Sequence, residues 1–296
     1  VEAQHAYSLE IIRRFGFDES FARLDTTVHP FAASSGTQDI RLTTRYAEDD
    51  ITSIFTAMHE CGHGLYEHGV SPTLERTPLC QGVSSALHES QSRLWENIVG
   101  RSREFWNHFY PSFQEAFPEA VGNVEQERFY RAINRVKPSY VRVDADEATY
   151  NLHIILRFEL EQEIFAGTLD LQDLPGEWNR RFEEYLGIPV PTDTLGVLQD
   201  VHWSAGGFGY FPTYSLGNIV SVQIWERALA DLPDLPDQFE QGEFGQLHEW
   251  LRTRLYALGR KFTPQETLER VVGTPTIDAG PYVRYLKDKL GALTAA

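Results

Sequence analysis

The sequence predicts a mainly α protein with a small amount of β structure. Three observations carry this. Apolar residues recur at helical spacing through most of the 296 residues. Only two short stretches, residues 40–46 and 139–143, read as strands. No internal repeat, low-complexity tract or linker-like segment cuts the chain, so a single domain over residues 1–296 is expected.

The elements follow in order. Ala3, Tyr7, Ile11 and Ile12 mark a first helix that Gly16 can stop. His29-Pro30-Phe31 and a Ser34-Ser35-Gly36 turn precede the strand at 40–46. Asp49 or Asp50 can cap a helix over 51–68, with an apolar stripe of Ile51, Ile54, Phe55, Met58 and Leu65 and a stop at Gly69. Beyond Pro72 and Pro78, the residues Val83, Leu87, Leu94 and Ile98 define the next helix, closing near Gly100. Two aromatic-rich segments, 104–117 and 124–136, read as helices, and Pro138 breaks the second. A long helix is expected over 145–165, ended by Gly167. The Gly- and Pro-rich stretch 186–212 reads as loop around one short helix. Four more helical segments are expected from Tyr214 onward, separated by 233–242, Thr263-Pro264 and 273–281.

Composition narrows the partners. With 26 Lys+Arg against 43 Asp+Glu the formal charge is −17, which disfavours nucleic acid and anionic membrane surfaces. No apolar run is long enough to span a membrane as a helix. Two cysteines, Cys61 and Cys80, are too few for a disulfide framework and suit a reducing compartment, so a cytoplasmic location is expected.

His59-Glu60-Cys61-Gly62-His63 fits H-E-x-x-H inside the helix expected over 51–68. Residues at i and i+4 share a helix face, so His59 and His63 can converge on one ion while Glu60 projects to its flank. A chance match in a chain of this composition is expected about 0.03 times, so the motif carries information. Gly62 and Gly64 cost helix propensity and point to a close approach that needs the room. A third ligand must come from elsewhere. Glu67 lies about 12 Å along the axis from His59, too far to share the ion. The metzincin pattern wants Gly at 66 and His at 69, where this chain has Tyr66 and Gly69. On the following helix Glu89 is the leading choice, with His88 and Glu96 as alternatives.

Further motifs accompany this one: His29-Pro30-Phe31, Asp39-Ile40-Arg41-Leu42-Thr43, His88-Glu89-Ser90-Gln91, Val141-Arg142-Val143-Asp144-Ala145-Asp146, and Gly196-Val197-Leu198-Gln199-Asp200-Val201-His202-Trp203. Together and in this order they resemble the M32 family of metallocarboxypeptidases, the carboxypeptidase Taq type. The resemblance implies a gluzincin-type helical fold with a small sheet beside an active-site cleft, and Glu89 as the third ligand. It implies one divalent ion per chain, zinc first and cobalt or manganese as alternatives, and commonly a homodimer. It also implies release of single amino acids from peptides with a free C-terminus, with broad specificity. Members carry a sizeable helical portion ahead of the HPF motif, so this sequence is expected to be the catalytic part of a longer design.

Roles follow from the chemistry. Glu60 is the expected general base and then acid. His202 and Tyr210 are candidate oxyanion donors, with Tyr214 behind them. An exopeptidase needs a cation for the terminal carboxylate, and Arg142 and Arg41 both stand in the shared motifs, each beside acids that could pair with it. His29 and Gln199 are expected to shape the closed end of the cleft. Two other readings compete: a gluzincin oligopeptidase or endopeptidase lacking a carboxylate clamp, and a non-catalytic zinc-binding fragment that needs a partner.

Overall fold

In a computed structural model, residues 1–294 are described. Their order is α1 (Glu2–Phe15), β1 (Ala22–Thr26), β2 (Ala32–Gly36), β3 (Asp39–Thr44), α2 (Thr52–His68), α3 (Ser85–Arg93), α4 (Arg103–Ala116), α5 (Pro118–Val121) and α6 (Gln126–Ile133). There follow α7 (Tyr150–Ala166), α8 (Leu174–Leu186), α9 (Pro212–Asp231), α10 (Leu235–Glu240), α11 (Gly245–Arg254), α12 (Pro264–Val272) and α13 (Ala279–Thr294). The fold is mainly α with one three-stranded sheet in the order β1-β3-β2, parallel between β1 and β3 and antiparallel between β2 and β3. No helix among the described residues is long and apolar enough to cross a membrane.

The chain divides into two compact units, one of residues 1–133 with 217–285, the other of residues 134–216 with those from 286 on. In the first, aromatic rings fill the core: Phe15 lies 4.5 Å from Trp95 between ring centres, and Trp106 stands edge-on to Phe129 at 4.6 Å. In the second, Leu156 and Leu160 of α7 pack against Trp178, Phe182 and Leu186 of α8.

Several expectations are corrected. Ser34-Ser35-Gly36 is not a turn but the end of β2, because Ala32, Ala33 and Ser34 pair with Leu42, Arg41 and Ile40. A polar edge strand has no apolar alternation to betray it. Residues 139–143 make no strand; Arg142–Asp144 form a 3-10 turn whose arginine is buried. The helix expected from 145 starts at Tyr150, since the Asp146 carboxylate accepts the N–H groups of Ala148 and Thr149 in a turn ahead of it. Among the described residues from 212 on there are five α-helices, not four, because Leu235–Glu240 closes a short turn of helix inside the proline-rich separator.

The sheet positions α2. Gly64 turns its missing side chain toward Ile40 and Leu42 of β3, where a Cβ would come within 2.9 Å of both side chains. Most of the other residues of α2 are buried, including Ile54, Met58, Glu60, Cys61 and Leu65. Thr56, His59, His63 and Glu67 are half-exposed and follow one another at the spacing of a single helix face.

Candidate metal centre

Helix α3 approaches α2 at Gly62, where a Cβ would lie 2.6 Å from the Gln91 carbonyl oxygen and 2.7 Å from the Ser92 Cα. This contact is why a helix glycine stands in the motif. Backbone cannot yield as a side chain can, so Gly62→Ala is expected to force the helices apart, costing about 1–3 kcal/mol and weakening metal uptake. Urea unfolding and a zinc titration check it; unchanged values in both would show the approach to be dispensable.

The approach delivers Glu89 to the histidine face. Its Oε2 lies 3.8 Å from His59 Nε2 and 3.4 Å from His63 Nε2. One ligand atom from each of the three residues falls within 4.8 Å of the others. Donors at about 2.0–2.1 Å from a tetrahedral ion sit about 3.4 Å apart, so the group has the size and the N₂O donor set of a His₂Glu site. The site fits a divalent ion.

The surroundings orient each donor. Arg93 Nε donates to Glu89 Oε1 at 2.7 Å, which leaves Oε2 for the histidines. His59 Nδ1 meets Glu96 Oε2 at 2.9 Å, and Arg93 also donates to that oxygen at 3.2 Å. His63 Nδ1 faces His88 Nδ1 at 2.6 Å. Both Nδ1 atoms are thus engaged and both Nε2 atoms turn to Glu89. The alternatives to Glu89 drop out: Glu96 backs His59, while His88 uses its second nitrogen on Glu67 at 2.8 Å.

Burial opposes charge on Glu89, yet the Arg93 guanidinium and His59 hold its carboxyl well below the usual range. Burial likewise opposes charge on Glu96, but Arg93 and a hydrogen bond with His59 bring it down to about 2. His63 is pushed down to about 4 chiefly by burial, so its imidazole is neutral and able to ligate. Glu60, 6% exposed, is pushed up to about 7 by burial against the pull of His59, which suits a group that takes up and returns a proton near neutral pH.

A second cluster forms in the other unit. Arg142 and the fully buried Arg157 share Asp200, with Arg142 Nη2 at 2.7 Å from Oδ1 and Arg157 Nη2 at 2.6 Å from Oδ2. Arg142 Nη1 donates to the Tyr150 hydroxyl at 3.0 Å, and its guanidinium stacks over Tyr214 at 4.7 Å. His202 Nε2 is 3.0 Å from the Tyr214 hydroxyl, and the Tyr210 ring lies 5.7 Å from the His202 ring. Gln199 accepts from the Arg142 backbone N–H and donates to the carbonyls of Tyr140, Leu195 and Gly196, so it knits the loop. Arg142, Gln199, His202, Tyr210 and Tyr214 therefore come together in one unit. Arg41 and His29 lie exposed in the other, and Arg41 pairs with Asp39 on the sheet face opposite Ile40 and Leu42.

Arg93, Arg157 and the supporting role of Asp200 were not singled out from sequence. Arg93 was findable at i+4 from Glu89. Arg157, a charge inside the apolar run of α7, signals a buried partner.

A His–His–Glu group, with a buried glutamate next to the first histidine on the same helix, is the arrangement that characterises helical metallopeptidases of the gluzincin class. A profile of the family described as carboxypeptidase Taq (M32) metallopeptidase matches residues 1–290. The chain belongs to that family. It is 46% identical over 294 residues to thermostable carboxypeptidase 1 of Thermus thermophilus, covering 99% of this chain and 57% of the relative. It is 43% identical to carboxypeptidase 1 of Bacillus subtilis, over 98% of this chain and 57% of that protein. The crystal structure of an M32 carboxypeptidase from Deinococcus radiodurans R1 superposes with a TM-score of 0.97 at 46% identity, covering 100% of this chain and 60% of that one. The chain thus spans little more than half the length of the relatives it matches.

Proposed function

We propose that the chain is the catalytic part of a metal-dependent carboxypeptidase that releases single amino acids from peptide C-termini. The convergence of His59 Nε2, His63 Nε2 and Glu89 Oε2 beside Glu60 carries the reading. A divalent ion bound there supplies Lewis acidity and lowers the pKa of water. Zinc is the first choice, with cobalt or manganese compatible with the same donors. Glu60 takes a proton from the attacking water and returns it to the leaving amine. His202 and Tyr210 supply hydrogen bonds to the developing oxyanion, with Tyr214 orienting His202.

Arg142 is the cation for the substrate's terminal carboxylate. Within the trio with Arg157 and Asp200, two guanidiniums face one carboxylate, so one positive charge is in excess. Arg41 is less suited, since it is exposed to water and, among the described residues, shares Asp39 with no second cation, which leaves no positive charge in excess. Gln199 supports Arg142 through the loop it holds, and His29 is a substrate contact on the strength of the motif alone. A homodimer in the cytoplasm completes the proposal, on the family resemblance and two unpaired cysteines.

Comparing a peptide with its C-terminally amidated twin tests the clamp. A charge-assisted hydrogen bond is worth about 1.5–3 kcal/mol, so the amide should be cleaved at least about tenfold more slowly, and Arg142→Met should narrow that ratio. Equal cleavage of the two by the parent protein would favour an oligopeptidase instead.

A further inference from the structure

His63 and His88 meet through their Nδ1 atoms at 2.6 Å, and the other nitrogen of His88 lies 2.8 Å from Glu67 Oε1. Two ring nitrogens that face each other form a hydrogen bond only if one of them carries the proton. His63 turns Nε2 toward Glu89, so a neutral His63 that ligates through Nε2 bears its proton on Nδ1. His88 Nδ1 is then the acceptor. That assignment leaves the proton of His88 on Nε2, aimed at a carboxylate oxygen. The protonation of each ring follows from the one before it.

The surroundings hold this chain of bonds in place. The Gly82 N–H donates to Glu67 Oε1 at 2.9 Å, and the Ser34 hydroxyl to Oε2 at 3.4 Å. Gly82 also lies against the His88 ring, since a Cβ there would come within 2.7 Å of Cδ2. The Tyr66 ring covers His88 from another side at 5.2 Å. His88 therefore has one available orientation, and both its nitrogens have partners.

We propose that Glu67 and His88 form a positioning relay that fixes the tautomer and ring orientation of His63, in the sequence His63 Nδ1–H to His88 Nδ1 and His88 Nε2–H to Glu67. The two histidines of the centre are thereby backed in different ways. His59 has a carboxylate, Glu96, directly on its Nδ1, whereas His63 has a neutral imidazole there and its carboxylate one ring further out. The relay orients His63 without placing another negative charge against the pair Glu60 and Glu89. Glu67, at the wrong height on α2 to be a ligand, acquires a reason to lie on the histidine stripe.

The inference rests on the reading of His59, His63 and Glu89 as a metal site, and zinc affinity tests the two separately. The full chain, stripped of metal, competes for Zn²⁺ with a chromophoric chelator. Outer partners of a ligand histidine are typically worth about 10–100-fold in metal affinity, so His88→Phe and Glu67→Leu should each weaken zinc binding by that order. Glu67 acts on the ion only through His88, so the double variant should bind no more weakly than His88→Phe alone. In the zinc-loaded parent, ¹⁵N shifts of the imidazoles should show His88 protonated on Nε2 and His63 on Nδ1, a signature that a merely structural role would not require. If His88→Phe does not fold, Glu67→Leu and the tautomers still decide. Zinc affinities of both variants within twofold of the parent, or a proton on His88 Nδ1, would overturn the relay alone. A parent that takes up no zinc would overturn the metal reading and the relay with it.

Discussion

Glu60→Gln is expected to lower kcat for peptide hydrolysis by about 10²–10⁴-fold, the range that a positioned proton carrier supplies, with KM and metal content little changed. Glutamine has the shape of glutamate and keeps the buried position between His59 and Cys61 filled. It lacks the basic oxygen that takes a proton from water and the acid form that returns one to the leaving amine. The environment argues for that role rather than for a surface charge. Glu60 is 6% exposed, and burial raises its carboxyl to about 7 although His59 pulls the other way. Steady-state kinetics together with elemental analysis of bound metal separate the outcomes. Loss of metal along with activity would make Glu60 a ligand, and an unchanged kcat would remove it from the chemistry.

The second large effect is on stability. Asp200→Asn is expected to destabilise the fold by about 3–5 kcal/mol, as does removal of one partner from a buried ion pair. Arg157 has no exposed side-chain surface and Arg142 has 7%, and both lean on this one carboxylate. An amide in its place leaves two buried guanidiniums without a counter-charge. The sign of the pH dependence follows. Burial opposes the charge on Asp200, but the Arg157 and Arg142 charges outweigh it and lower its pKa below the ordinary 3.8. The unfolded chain therefore binds more protons at low pH, so the contribution is complete above the ordinary value and is lost as pH falls through the depressed one. The gap between parent and variant in chemical denaturation should be flat near neutrality and should close in acid. A gap under about 1 kcal/mol at neutral pH, the range of exposed pairs, would mean that water reaches the cluster.

Helices α1, α2 and α7 were legible because the sequence displays their apolar spacing or the residue that stops them. Ile54, Phe55, Met58 and Leu65 outline α2, and Gly16 and Gly167 stop α1 and α7 in left-handed conformations that favour glycine. Elements defined by pairing or by local side-chain bonds were less legible. Strand β2, Ala32–Gly36, has no apolar face and exists because β3 supplies hydrogen-bonding partners along it. The late start of α7 follows from the Asp146 carboxylate binding the backbone of Ala148 and Thr149, a competition that periodicity does not register.

The same division runs through the metal centre. His59, Glu60 and His63 were determined by sequence alone, because the spacing of one helix places i and i+4 together whatever surrounds it. Among His88, Glu89 and Glu96 spacing could only rank, since neighbours on a helix point in different directions and the face that meets α2 depends on packing. Tertiary structure decided it. The close approach at Gly62 turns Glu89 Oε2 to the two Nε2 atoms, sends Glu96 to His59 Nδ1, and leaves His88 between His63 and Glu67.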